Sequence, residues 1–476
     1  MQRKITLLFA LVGLAFTASQ AQTAWTLEKC VEYARQNNLS VKQAEYTIQN
    51  SELTKKQNVY NRLPGLSART NAGLQFGRTI DPTTNTFNTE QIGFNSFSVD
   101  LNATLYSGNQ LNNAVKQSRI DLEAARLDAQ ATVNDIGLSI ASAYLSILLA
   151  EEQLDNAQRR LQLSQTQLEQ TDKLIQAGSL PPNDRLDFVA QIALDEQSIV
   201  EAQNLVAIGY LNLKQLLELD PSEDMRIVRP GSVEIPEDAD PRSYELEAVY
   251  STALQTQPQV RAADLRLESA QLDENLAQGG YLPTLSLFAS LNSNYSSAFQ
   301  SAIFGTVRTK QTVFINNDPV EIEFENQAPV DYQNIPYDTQ IRDNFGQTVG
   351  LSLGIPIYSN HRNRINVERA RLNVLNTQVA NRQLRQQLKT DVQRAIADAR
   401  AARESLQAAQ RSVDAAQAAF DNADKRFRLG AINSLEYTTA RNNLDRAQVD
   451  VIRAKYQYLF NLKVVDFYLG RPINLD

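Results

Sequence analysis

The chain has 476 residues, 42% hydrophobic and 21% charged, with a formal charge of −8 at pH 7. This is the balance of a folded protein rather than a disordered tail, and the negative sign argues against nucleic acid, whose phosphates need a basic face. A single Cys (Cys30) and a single His (His361) exclude a disulfide framework and a cysteine zinc site, and argue against a Ser-His-Asp triad or a multi-histidine metal centre. The composition points away from an enzyme.

Residues 1–21 read as a signal peptide. Arg3 and Lys4 precede an apolar run at 5–16, and Ala18, Ser19 and Ala21 form a small-residue cleavage site. The run is short for a membrane span, which needs roughly 20 apolar residues. Export is the expectation.

Beyond the leader the sequence repeats itself. Leu27-Glu28 and Leu63-Pro64-Gly65-Leu66 recur as Leu246-Glu247 and Leu282-Pro283-Thr284-Leu285, offset by 219 residues. Leu105-Tyr106-Ser107 recurs as Ile357-Tyr358-Ser359, and Asp172-Lys173 with Gly178 recurs as Asp424-Lys425 with Gly430, offset by 252. Two structural repeats follow, 22–219 and 242–476, joined by a Pro- and acid-rich connector at 220–241. The larger offset places an insertion in the second copy, expected as a longer loop at 292–347.

Each repeat opens with a helix and then a pair of strands. Leu66, Ala68, Thr70, Ala72, Leu74 and Phe76 alternate with polar or small residues, as do Phe97, Val99, Leu101, Ala103 and Leu105. The second copy repeats this with Leu285, Leu287, Ala289 and Leu291, then with Val349, Leu351, Leu353, Ile355 and Ile357. Such alternation gives strands with one apolar and one polar face. At about ten residues it also has the length of a membrane-barrel strand, lipid on one side and water on the other. Residues 77–95 and 292–347 read as long polar loops.

The helices that follow are too long for a compact domain. In the second copy Leu388, Val392, Ala395, Ala399, Ala402 and Leu406 begin a 4-3-4-3 spacing that runs on to Phe427. The first copy matches it with Ile136, Ile140, Ala143, Ile147 and Ala150, and onward to Ile175. A heptad sustained this far predicts coiled-coil packing. Residues 111–177 would make roughly 100 Å of helix at about 1.5 Å per residue, a reach suited to a periplasm. Gly178 and Gly430 suit left-handed caps, after which a second helix returns. Four strands cannot close a membrane barrel, since about eight is the smallest natural number, and open edges are not tolerated in lipid. If these strands span a membrane rather than lie half-buried on a soluble protein, several chains must pool them.

With these features in place the sequence resembles the TolC family of outer-membrane efflux and secretion channels. The resemblance rests on Tyr281-Leu282-Pro283-Thr284-Leu285, on the strand Val349-Gly350-Leu351-Ser352-Leu353-Gly354-Ile355-Pro356-Ile357-Tyr358, on the tip from Gly430 to Arg441, and on the duplicated order of motifs. It implies a mixed α/β membrane protein: a trimeric 12-stranded outer-membrane β-barrel, four strands per chain, continuous with a 12-helix periplasmic α-barrel of long coiled-coil hairpins. It also implies an exit duct of a tripartite efflux or type I secretion system. The partners would be two further copies, outer-membrane lipid, a periplasmic adaptor (membrane fusion) protein and an inner-membrane transporter of RND or ABC type. One departure is Asn360-His361, where the family usually carries a glycine pair.

The resemblance also directs attention to the helical tips. Glu436 matches an acidic family position facing the pore at its periplasmic mouth; three residues on, where the best-known members carry a second acid, stands Thr439. Asp184 holds the place of Glu436 in the first repeat. A carboxylate in the first turn of a helix also favours its positive dipole end, so capping is the competing role for Asp184 and Glu436. Gly178, Leu180, Gly430 and Ile432 are the expected exposed adaptor-docking tips. Tyr106, Tyr281 and Tyr358 at strand ends suit either an interfacial aromatic belt or packing of the turns. No catalytic, cofactor or metal residues are expected. The alternative reading is a trimeric coiled-coil surface protein without a transport role, which would lack duplicated strand pairs.

Overall fold

A computed structural model describes residues 24–80, 87–229, 240–315 and 318–472. The expected signal peptide and residues 230–239 of the connector lie outside the described residues. The first repeat contributes α1 (Leu27–Asn37), α2 (Leu39–Tyr60), β1 (Gly65–Ile80), β2 (Phe87–Ser107), α3 (Gln110–Gln176) and α4 (Asp184–Leu217). The second contributes α5 (Leu246–Thr256), α6 (Pro258–Gly279), β3 (Thr284–Ser296), β4 (Gln300–Ile315), β5 (Asp318–Asn334), α7 (Tyr337–Asp343), β6 (Gly346–Gly354), α8 (Arg362–Arg428) and α9 (Ser434–Tyr468). Matching elements have matching lengths: 11 residues in α1 and α5, 22 in α2 and α6, 67 in α3 and α8.

Residues group into two compact units, each drawing on both halves of the sequence. One comprises residues up to Glu52, Ile120–Ser269 and residues from Leu375; the other comprises Leu53–Arg119 and Ala270–Val374.

The first unit is helical, and its seams are those the heptads predict. Ile140, Ile147, Ala150, Ala157, Ser164 and Thr171 are buried along α3, and Leu388, Val392, Ala395, Ala399, Ala402 and Leu406 along α8. Alanine at so many seam positions lets helix backbones approach closely. One stretch of α3 is long and apolar enough to cross a membrane, yet Ile140, Tyr144, Ile147 and Leu148 pack into a core with Trp25, Leu27, Cys30, Leu213 and Leu459. This is a core helix. The short first helix of each repeat breaks from the next at a buried amide side chain. Asn38 Nδ2 donates to Leu216 O at 2.8 Å, and the matching Gln257 Nε2 donates to Phe467 O at 3.0 Å. Each break is thereby tied to the last turn of the returning helix of its own repeat.

The second unit carries an antiparallel sheet in the order β1-β2-β3-β6, with β1 and β6 as unpaired edges. Registers such as Ala68↔Val99, Val99↔Leu291 and Ala289↔Val349 put the apolar sets of all four strands on one face. That face is bare: Leu66 is 72% and Val349 75% exposed, with Leu74, Phe76, Leu351 and Leu353 also open. The opposite face carries Ser67, Asn71, Ser98, Asp100, Ser290, Thr348 and Ser352. There Ser290 Oγ donates to Asp100 at 2.7 Å. Two aromatic rings on this polar face lie over glycines of the adjacent strand, Phe94 over Gly73 and Phe288 over Gly350.

Three strand expectations change. β1 and β2 run through most of 77–95, where polar residues on both faces hide the alternation. β6 stops at Gly354, short of Ile357, where Pro356 has no N–H for a ladder. The stretch 292–347 is no simple loop, holding the end of β3, the separate β4–β5 hairpin and α7. The Asn360-His361 departure also has a structural reason. Both residues are left-handed (φ 49° and 58°), as are Gly108 and Asn109 at the matching junction of the first repeat (φ 59° and 62°). Asn tolerates this region better than most residues. Gly108 has no freedom to change, because a Cβ there would lie 2.5 Å from Gly279 O.

A side chain on Gly350 would begin 2.6 Å from the Phe288 ring. Gly350→Val should therefore displace that ring and cost about 1–3 kcal/mol, measured as a lowered unfolding temperature of the purified protein, while Thr348→Val on the same face should cost less.

Candidate functional site

The helical tips belong to the first unit and are built by the same device twice. After α3, Gly178 takes φ 73°, its N–H donating to Ile175 O at 3.0 Å and that of Ser179 to Leu174 O at 2.9 Å. After α8, Gly430 takes φ 69°, with Gly430 N to Phe427 O at 2.9 Å and Ala431 N to Arg426 O at 2.8 Å. This is the Schellman arrangement, and it stops both helices on a glycine.

The returning helices start differently. Asn433 caps α9, its Oδ1 accepting from Glu436 N at 2.9 Å. Glu436 therefore lends only its backbone N–H to the cap, and its carboxylate is exposed. Thr439 lies one turn on, also exposed, and donates back to Leu435 O at 2.7 Å. Asp184 opens α4 and is half-buried. Ser434 Oγ lies 3.3 Å from Asp184 Oδ1 and also within hydrogen-bond reach of Asp187, joining the two tips. Asp187, the first-repeat counterpart of Thr439 at the same offset of 252, is thus a third carboxylate at this end.

Two expected tip residues turn inward. Ile432 is only 7% exposed, and Leu180 is half-buried against the same cluster of Phe188, Phe427 and Tyr437. The reason is a hydrophobic staple: Ile432 precedes the Asn433 cap and packs with Tyr437 in the first turns of α9. The pattern Asn433-x-x-Glu436 after an apolar residue is the signal for it. Burial pushes the Tyr437 hydroxyl up to about 12. The apolar side chains that do face outward near the tips are Leu429, at 84% exposure, with Leu435 and Leu186. Gly178 and Gly430 are open, with no atom within 4 Å of where a Cβ would stand.

Behind the tips lies a buried ion cluster that periodicity could not reveal. Arg160 of α3 meets Asp195 of α4 at 3.0 Å and Asp445 of α9 at 3.1 Å. Arg441, 1% exposed, sits 3.4 Å from Asp195 and 3.8 Å from Asp445, and donates to Arg160 O at 2.8 Å. Ser164 and Gln191 complete the shell around Asp195. Burial drives the Asp445 carboxyl above the usual range, the two arginines opposing it and Asp195 adding to it. Among the described residues no group of His, Cys, Asp and Glu is arranged to hold a metal ion.

A strand sheet with a bare apolar face, a polar opposite face and two open edges is the architecture of a barrel segment that faces lipid. A sequence profile for outer membrane efflux proteins matches residues 30–218 and 249–471. The chain belongs to the outer membrane efflux protein family. No match was found among curated protein sequences. Among solved structures, the fold is similar to CusC, in work on folding and transmembrane channel formation, with TM-score 0.74 at 17% identity over 94% of this chain and 93% of that one. It is similar to the outer membrane protein VceC of Vibrio cholerae (TM-score 0.72, 16% identity, 94% and 96% covered) and to the CmeC outer membrane channel of Campylobacter jejuni (TM-score 0.70, 16% identity, 93% and 85%). The family is one of outer-membrane channels rather than enzymes, and this efflux protein has its place in the outer membrane and periplasm.

Arg441→Ala would leave Asp195 and Asp445 buried with one counter-charge, and should cost about 3–5 kcal/mol in thermal or denaturant unfolding. Asp445 makes the cluster sensitive to pH. A carboxyl whose folded pKa lies above its unfolded value favours the folded state below that range and loses this contribution as pH rises through it. Asp445→Asn should remove that component, seen as a smaller fall of the melting temperature as pH rises above the ordinary carboxylate range.

Proposed function

We propose that three copies assemble into one passive exit duct. The four strands β1-β2-β3-β6 of each chain pool into a twelve-stranded barrel, apolar face to lipid and polar face to a water-filled lumen. The long hairpins α3–α4 and α8–α9 pool likewise into a periplasmic tunnel of twelve helices. A periplasmic adaptor protein docks at this tunnel, and an inner-membrane transporter of RND or ABC type supplies the energy. The observation that carries this reading is the exposed apolar sheet face flanked by two unpaired edges. The duplicated strand pairs count against the stalk or adhesin alternative.

At the tunnel mouth, Asp184, Asp187 and Glu436 supply nine carboxylates per trimer, with Thr439 one turn behind. Such a ring raises the local cation concentration. Leu429, Leu435 and Leu186 are the apolar side chains available for the adaptor near Gly178 and Gly430, in place of Ile432.

Light scattering on detergent-purified protein should give the mass of a trimer, and the same material should conduct in a planar bilayer; a non-conducting monomer overturns the reading. Glu436→Gln should reduce cation selectivity, read from the reversal potential in a salt gradient. Leu435→Glu should abolish export while trimers persist, whereas Ile432→Glu should destabilise the tip itself.

A further inference from the structure

The hairpin β4–β5 is unexplained by the channel wall. It is a two-stranded sheet of its own, inserted between β3 and β6 at the ends of those strands away from their helix junctions. In an outer-membrane channel whose helices enter the periplasm, that end faces the cell exterior. The hairpin is long, with registers from Gln300↔Asn334 to Ile315↔Asp318. Two strands alone are marginal in water, and both outer edges present unpaired N–H and C=O groups.

Its base is held in place. Gln340 of α7, 2% exposed, accepts from Ser296 N at 3.0 Å and donates to Ser296 O at 3.1 Å and Ile335 O at 2.9 Å. Ile335 N also donates to Phe299 O at 3.2 Å. The hairpin therefore leaves β3 in a defined direction.

Its two faces and its two edges differ. One face carries Val307, Val313, Val320, Ile322 and Phe324 among Thr309, Gln311 and Asn326; the other carries Arg308, Lys310, Glu321, Glu323 and Glu325, with Phe304 and Phe314 toward its ends. Strand β4 has two bases and no acid, while β5 has five acids and no base. Within the hairpin Arg308 pairs with Glu325 at 3.1 Å, and Lys310 lies 3.5 Å from Glu321 and 3.6 Å from Glu323. The acids outnumber the bases available to them.

We propose that the β4–β5 hairpins of three copies pair edge to edge, β4 of one copy against β5 of the next, into a six-stranded collar at the cell-surface mouth. This rests on the trimeric reading above. Charge selects the partner strand: β5 against β5 would set glutamate columns side by side, whereas β4 against β5 places Arg308 and Lys310 between two such columns. A head-to-tail contact of this kind closes into a ring under three-fold symmetry. The collar narrows the outer mouth.

The test uses full-length chains co-expressed as mixed trimers, one carrying Lys310→Cys and the other Glu323→Cys. No single chain holds both, and the native Cys30 is buried, so a bridge reports contact between copies. A series of thiol cross-linkers of graded length removes dependence on register. A covalent dimer in trimers of confirmed mass is the expected result; none across the series, with the mass still trimeric, overturns the collar and leaves the channel reading intact. A monomeric mass overturns the channel reading itself. Residue-resolved amide exchange on the wild-type trimer is the second measurement. Slowed exchange at successive residues along the centres of β4 and β5 supports the collar, while alternation between protected and fast amides refutes it.

Discussion

The open edges of the β1-β2-β3-β6 sheet govern the rest of the molecule. A backbone N–H or C=O that meets hydrocarbon without a partner costs several kcal/mol, and β1 and β6 each present a row of them. No rearrangement within four strands can close them, since a sheet so narrow cannot curl into a barrel. The apolar face makes water equally unsuitable, with Leu66, Leu74, Phe76, Val349, Leu351 and Leu353 uncovered. Each requirement alone has several solutions. Together they demand lipid on one face and a further strand at each edge.

The duplication lets one gene product supply a pseudo-symmetric wall. α3 and α8 have the same length and the same buried heptad seam, and both end on a left-handed glycine. The copies diverge where asymmetry is useful. α9 starts with a side-chain cap and a staple, whereas α4 starts after a proline-containing turn without a side-chain cap bond. Ser434 of the better-capped helix then reaches the carboxylates of the other, so the less ordered start is held by the more ordered one.

Much of this is legible in the sequence because period carries it. Alternation locates the cores of β1, β2, β3 and β6, and the 4-3 spacing locates both long helices. What period does not carry stays hidden. Gln91 and Asn95 sit on the lipid-side register and break the pattern that marks β2. The bulge between Ile303 and Phe304 shifts the phase of β4, although Val320-Glu321-Ile322-Glu323-Phe324-Glu325 does alternate and is a readable sign of β5. Ile432 is misplaced when a turn position is equated with exposure, because its neighbours Asn433 and Glu436 define a capped start that draws it inward. The Arg160–Asp195–Arg441–Asp445 cluster joins the consecutive helices α3 and α4 to the remote α9, and nothing local announces such a meeting.

That cluster supplies something the seams lack. An alanine-rich heptad seam looks much the same after a shift of seven residues, so apolar packing alone discriminates weakly between registers of two long helices. Buried ions are a poor source of stability, since desolvation offsets much of their attraction, yet they are intolerant of misplacement. A one-heptad slip of α9 against α3 would break the Arg160–Asp445 and Arg441–Asp195 pairs and leave each half of the cluster with a single partner in a dry interior. The wrong register is thus penalised even where the right one gains little. This places the cluster where it matters most, near the tips, where the four helix ends must line up for Ser434 to meet Asp184 and Asp187.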